Sequence, residues 1–312
     1  METGPYDDPD DRDGDPDDAR DDDWGPDVAA LHRLRQRADR LLSRVPRATL
    51  SHWTAAALHG LPVPLRSLDV VHVTVTHGSN APARRGVVAH RSRLVERSDL
   101  RAAAPGPAGL IAPPVVLPVA LPVTPVARTW LDLAGDGATP VELLVVADAA
   151  WRAGLVEPEH LSDGLAHRRR GRGAVAARWA LERVDRRSWG VDESRLRAVL
   201  LRAGLRPTAV GYEVEHDDGT VLARFGLAWP AWRVGVRLVR FPLVRQWAHQ
   251  VLHDNVLRFG GLAGWQIVDV PDVVLNRRGD IVRSVGAAVR RGRALTALEQ
   301  GEGVRALWTR AG

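Results

Sequence analysis

The sequence contains no cysteine. That absence excludes disulfides, thiolate zinc sites and thiol nucleophiles together. Phe and Tyr are scarce, at three and two residues, whereas Trp occurs eleven times. Aromatic packing therefore rests mainly on indole rings. Long apolar runs are lacking as well. The longest, Val115 to Val123, is interrupted by Pro118 and Pro122 and falls short of the roughly 18–20 residues a bilayer-crossing helix needs. No stretch near the start has the apolar segment of a signal peptide. The expectation is a cytoplasmic protein with no membrane partner. GxSxG, a P-loop and GxGxxG after a strand are also missing, which removes the common hydrolase, nucleotide-triphosphatase and dinucleotide readings. No cofactor and no small-molecule partner are expected.

What is present is a chain of 312 residues, 45% hydrophobic, long enough for about two domains of ordinary size. The net charge of +5 hides an asymmetry: residues 1–23 sum to −10, so the remainder carries +15, almost all of it from Arg. A basic body of this kind suits a polyanionic partner such as nucleic acid. Arg written in place of Lys by a GC-rich genome is the other reading. Residues 1–23 hold eleven Asp among Pro and Gly with no apolar periodicity, and an acidic tail of this kind is expected to stay disordered.

From Trp24 a helical pattern runs to Pro46, and SHWTAAALHGL gives a second helix with Ser51 as its cap. Val70 to Thr76 and Gly86 to His90 alternate as strands. The proline-rich segment from Ala104 to Pro122 is a loop or extended chain. Helices follow, one from Thr124 with Pro125 at its first position and one from Pro140 to Gly154. The basic stretch HRRRGRG (167–173) leads into AVAARWALERV. A second unit opens at SWGVDESRLRAVLLRAGL, with Asp192 as helix cap and Gly204 at the end. It reads helix, strands at Tyr212–Glu215, Val221–Ala228 and Arg233–Val239, a helix at Leu243–Phe259, a strand at Gln266–Val270 and a last helix at Asp280–Arg291. Strands with helices on both sides predict an α+β or α/β two-domain chain whose second part is a sandwich with a mixed central sheet. The expected divisions are a tail at 1–23, a first domain at 24–186, a second at 187–292 and a carboxyl-terminal tail at 293–312.

The run ESRLRAVLLRAGL, VLARFGLAWP, WRVGVRLVRF and HDNVLRFGGLAGWQIVDV resembles the Vsr-like endonuclease domain of unknown function common in actinobacteria, a member of the restriction-endonuclease-like PD-(D/E)XK fold. Upstream, SHWTAAALHGLP, VHVTV, LPVTPVARTWLDLAG, VVADAAWRAGL and RRRGRGAVAARWALERVD resemble the body of AbiEi-like antitoxins. The likeness covers about residues 45–292. The winged helix-turn-helix that usually opens such antitoxins is not visible here. Phosphodiester cleavage in this fold needs a hard cation held by carboxylates. Where the family has Asp before LAWP, this chain has Gly226; where it has Glu-Tyr-Asp-Gly on the next strand, this chain has Arg237, Leu238, Val239 and Arg240. The helix acid remains as Glu193, and Asp254 matches the Asp that opens the later helix. The resemblance therefore implies a non-cleaving relative of a nuclease with vestigial positions Glu193, Gly226, Arg237 and Val239, no metal and no enzymatic activity.

Two further clusters carry charge. Arg237 and Arg240 at a former cleavage site would suit phosphate, or they are ordinary surface charges. Arg168, Arg169, Arg170 and Arg172 could clamp phosphates, or they form a solvated loop between helices. His249 and His253 stand at i, i+4 on one expected helix, but HExxH is not present, and a solvated or backbone-bonded pair is the plainer reading. Trp229 and Trp232 flank a chain corner and are expected to pack. The functional expectation is a nucleic-acid-binding or antitoxin-like, regulator-type protein. The alternatives are a nuclease with a rearranged site built on Glu193, Asp254 and His253, and a protein–protein module that masks a toxin.

Overall fold

In the computed structural model, the described residues are 24, 27–45, 47–76, 82–93, 98–100, 121–168, 171–239, 262, 264–272, 275 and 277–299. They form eight α-helices and two mixed sheets. The acidic tail, residues 104–120 of the proline-rich segment, the expected helix at 243–259, and with them Arg169, Arg170, Arg240, His249, His253 and Asp254, lie outside the described residues.

The first sheet has the order β3-β2-β1-β5-β4, with β1 (Thr49–Leu50), β2 (Val71–Thr76), β3 (Val87–Ser92), β4 (Ser98–Leu100) and β5 (Leu121–Val123). Strand β1 is antiparallel to β2 and parallel to β5, while β2 and β3 run parallel. Alternation along β2 sends Val71, Val73 and Val75 into the main core. His72 and Thr74 therefore stand on the opposite face.

Six helices pack with this sheet: α1 (Val28–Leu42), α2 (His52–Leu58), α3 (Val126–Asp136), α4 (Pro140–Arg152), α5 (Pro158–His167) and α6 (Ala174–Leu181). Helix α4 is buried almost throughout, from Glu142 to Ala150. Its start is held by a reciprocal cap in which Thr139 and Glu142 each accept the other's backbone N–H. Trp130 of α3 is fully buried, and its indole N–H donates to the Leu143 carbonyl at 2.9 Å. Gly173, just before α6, is required where the chain lies against the backbone of α3. Its φ is +77°, and a Cβ there would lie 1.8 Å from the Ala134 carbonyl oxygen.

The second sheet has the order β6-β7-β8-β9, with β6 (Ala209–Glu215), β7 (Val221–Trp229), β8 (Val234–Val239) and β9 (Gln266–Pro271). The first three strands are an antiparallel meander, and β9 is parallel to β8. Helices α7 (Val191–Arg202) and α8 (Arg278–Glu299) pack with it through Leu196, Leu200, Leu227, Val234, Ile281 and Val285. Trp265 stacks on Tyr212 and Phe225 in a smaller cluster. Trp229 is buried as expected, and its indole N–H donates to the Arg206 carbonyl.

The two sheets are joined through α4 and α7. Asp148 of α4 is fully buried and bonded to Arg197 and Ser194 of α7 and to the backbone N–H of Asp185. Burial pushes the Asp148 carboxyl upward, against the pull of Arg197 and these donors. Ala198 of α7 also belongs to the first core. Helix α7 thus serves both parts of the chain.

Several boundaries differ from the sequence reading. Ser51 stands at the N-cap of α2 as expected, but its hydroxyl bonds His52 and Thr74 instead of a helix N–H. Pro125, not Thr124, occupies the cap of α3; the Thr124 hydroxyl bonds that of Thr129. Gly190 caps α7, and Asp192 sits within its first turn, where an acid favours the helix dipole. Helix α5, which the sequence reading left out, begins at Pro158 behind Glu157. The last helix continues to Glu299, through residues first assigned to a tail.

Candidate functional site

Two places gather chemistry-bearing side chains. The first is the position expected from the nuclease resemblance. Glu193 of α7 and Gly226 of β7 are in contact: a Cβ on Gly226 would lie 2.9 Å from Glu193 Oε1. Glu193 Oε2 accepts the Trp189 N–H at 2.7 Å. Burial pushes the Glu193 carboxyl upward, partly offset by that N–H and by the Arg152 and Arg197 cations. Arg237 lies one residue beyond Val236, the β8 partner of Leu227. Its guanidinium grips Asp269 of β9 by two bonds, of 2.7 and 2.9 Å. Val239 pairs with Pro271 at the end of β8. Glu193 and Gly226 are thus brought together, while Arg237 is committed to a carboxylate on the next strand.

The basic stretch at 167–173 is also partly committed. Arg168 donates to the Leu131 carbonyl at 3.2 Å and to Asp132 Oδ1 at 3.3 Å. The Arg172 guanidinium lies near Gly137, just past the carboxyl end of α3. Cations there are favoured by the exposed carbonyls and the dipole of α3.

The second place was not anticipated. His52, His72 and His90 converge on the polar face of the first sheet. The fold explains this placement. His72 and Thr74 share one face of β2, and Thr74 is in register with His90 on the parallel strand β3. His52, separated from β1 by Ser51 alone, is the first residue of α2, with φ at +52°. That conformation is costly for a residue with a Cβ and persists only where surrounding structure imposes it.

His52 and His90 stack with ring centres 3.5 Å apart, and His72 Nδ1 lies 3.1 Å from His90 Nε2. Burial pushes His52 down to about 2, with further lowering from His90, His72, Arg128 and Arg168. Burial and His90 push His72 down to about 4, and burial lowers His90 against the pull of Asp136 and Asp132. At neutral pH all three rings are therefore uncharged and each retains a lone pair.

Helix α3 lays Arg128, Asp132 and Asp136 over these rings at i, i+4, i+8, one helical face. Arg128 donates to Asp132 Oδ1 at 2.8 Å and to the Ser92 hydroxyl at 3.1 Å. Asp132 Oδ2 is buried and has no hydrogen-bond partner among the described residues. These groups, with His52, His90 and Arg168, border an open pocket of about 190 Å³.

The histidines are 20 and 18 positions apart and belong to no short spacing motif. The available signal was His72 alternating with the core valines of VVHVTVT, a polar side chain aimed away from the core. No family model matches the chain, and no curated protein or solved structure shows significant similarity to it.

Proposed function

We propose that the carboxyl-terminal part is a non-cleaving unit of the restriction-endonuclease type, and that the chain acts by holding nucleic acid rather than cutting it. One observation carries this reading. At the place where the resemblance expects clustered acids, Glu193 meets the bare backbone of Gly226, and the neighbouring strand offers Arg237 and Val239. A divalent ion needs several well-placed oxygens. One carboxylate beside a glycine does not supply them, and the adjacent strand offers Arg237, paired to Asp269, in place of an acid.

The strand order supports the same reading, with an antiparallel meander followed by a fourth strand parallel to the third. So does the charge of +15 outside residues 1–23. Because Arg237 already holds Asp269, the attraction for phosphate is spread over the basic surface rather than concentrated in that one side chain. Binding of this type weakens steeply with salt, since it releases counterions.

Two measurements test the proposal. Gel-shift titrations at rising salt should show binding whose logarithm falls linearly with the logarithm of salt concentration. Plasmid incubated with Mg²⁺ or Mn²⁺ should stay intact. Cleavage that disappears in Glu193→Ala would overturn the non-cleaving reading. Absence of binding to both DNA and RNA at low salt would overturn the nucleic-acid reading, and co-purification with a protein would favour a masking role in its place.

A further inference from the structure

We propose that His52, His72 and His90 form a three-histidine centre for a first-row divalent metal ion, zinc being the natural probe, whose remaining position opens on the pocket bordered by Arg128, Asp132 and Arg168.

The ligand chemistry is of the right kind. Neutral imidazoles suit zinc and its first-row neighbours, and three protein ligands leave an open position of the sort that catalytic sites keep. Nitrogens bound to one zinc at about 2.0–2.1 Å stand about 3.3 Å apart in tetrahedral geometry. The His72–His90 pair, at 3.1 Å, is already at that spacing. One nitrogen from each ring lies within 4.8 Å of the others. Closing the triangle therefore requires a shift of at most about 1.5 Å, in which the metal would draw the His52 Nε2 out of its stack on His90 about the Nδ1 held by Ser51.

Supporting groups are in place around the rings. His52 Nδ1 faces the Ser51 hydroxyl at 2.9 Å, and that hydroxyl accepts a bond from Thr74 at 2.8 Å. A hydroxyl on Nδ1 fixes the ring and leaves Nε2 for the metal, the usual outer-shell arrangement of a histidine ligand. It also accounts for an N-cap serine whose hydroxyl makes no capping bond to α2.

The second, independent observation is Asp132. Its Oδ2 is buried and unpartnered among the described residues, on a residue only 6% exposed that borders the same pocket as His52 and His90. A buried carboxylate oxygen without a donor is costly. A water on the open metal position would bring O–H donors into that pocket, and the nearby guanidinium groups favour hydroxide or another small anion as ligand.

The experiment uses the full chain without a polyhistidine tag. It is stripped with chelator and reloaded with Zn²⁺ or Co²⁺. One metal per chain should be retained after dialysis, and Co²⁺ should give the visible absorption of a low-coordinate nitrogen site. His90→Asn, on the edge strand β3, should lower affinity at least 100-fold, and His72→Asn likewise. Ser51→Ala should lower it by about 10–100-fold, the usual cost of losing an outer-shell partner. Far-UV circular dichroism on each variant separates lost ligation from lost fold. His249→Asn/His253→Asn should leave binding unchanged. Failure of the wild-type chain to retain metal, cobalt absorption unaltered in a folded His90→Asn, or loss of binding in the 249/253 variant would each overturn the assignment.

Discussion

The two sheets carry contrasting sites. On the second, the resemblance expects acids that would bind a cation, and Gly226, Arg237 and Val239 stand at those positions. On the first, no motif announces a site, yet three uncharged imidazoles meet beside a pocket. The difference is one of how ligands are supplied. The pattern that the resemblance expects would draw on neighbouring strands of one meander, within a short span of chain. The histidine cluster is assembled from a strand-to-helix junction and two parallel strands, so its members lie far apart along the chain. Motif spacing detects the first kind of assembly and misses the second.

Acid should separate the two sites most strongly. His52 and His72 have folded pKa values of about 2 and about 4, below the value near 6.5 of an unfolded histidine. The unfolded chain therefore takes up protons first as pH falls. The stability concerned is complete above about 6.5 and is lost progressively on acidification, down to about 4 for His72 and further for His52. Each histidine contributes a slope of about 1.4 kcal/mol per pH unit in that window. Urea denaturation between pH 7 and 5 with chelator present should show the loss, and His72→Asn should flatten it. An unchanged slope in that variant would remove the cluster as its source.

Gly226→Asp should have an intermediate effect. It sets a second carboxylate against Glu193, whose flexible end has room to give way. Without metal, two acids at close range should cost about 1–3 kcal/mol at moderate dielectric. Mg²⁺, which seeks oxygen rather than imidazole ligands, should then raise the melting temperature of the variant and leave that of the parent chain unmoved. Equal responses in both proteins would show that Gly226 is not the position that sets cation binding.

The smallest effect belongs to Arg237 and Asp269, whose side chains are 29% and 48% exposed. Partly solvated pairs contribute about 0.2–1 kcal/mol. A double-mutant cycle with Arg237→Gln and Asp269→Asn should give a coupling in that range, shrinking with salt. A coupling of several kcal/mol would mean that this corner of the sheet is far better shielded than its exposure indicates.

The architecture was legible wherever local chemistry and burial agree. The valine alternation of β2, the proline starts of α3 and α4 and the meander β6-β7-β8 all follow from residues within one window. Caps were read less well, because tertiary contacts redirect small hydroxyls. Ser51 is drawn to His52 and Thr74, and Thr124 to Thr129. Helix α5 carried an available signal in Glu157-Pro158, overshadowed by the basic run after it. Of the candidate sites, Glu193 and position 226, which the resemblance sets in one site, are in contact. The commitment of Arg237 to Asp269 was not legible, since it depends on the register of β8 with β9. The meeting of His52, His72 and His90 needed the parallel pairing of β2 and β3, which alternation alone does not reveal.

Asp148 has a consequence for any attempt to divide this protein. With no exposure of its own and its bonds reaching Arg197, Ser194 and the Asp185 backbone, it behaves as a keystone. A fragment ending before α7 would leave a charge stranded on α4, and the complementary fragment would strand a guanidinium on α7. Neither half inherits a finished surface. The two sheets should therefore melt in a single step.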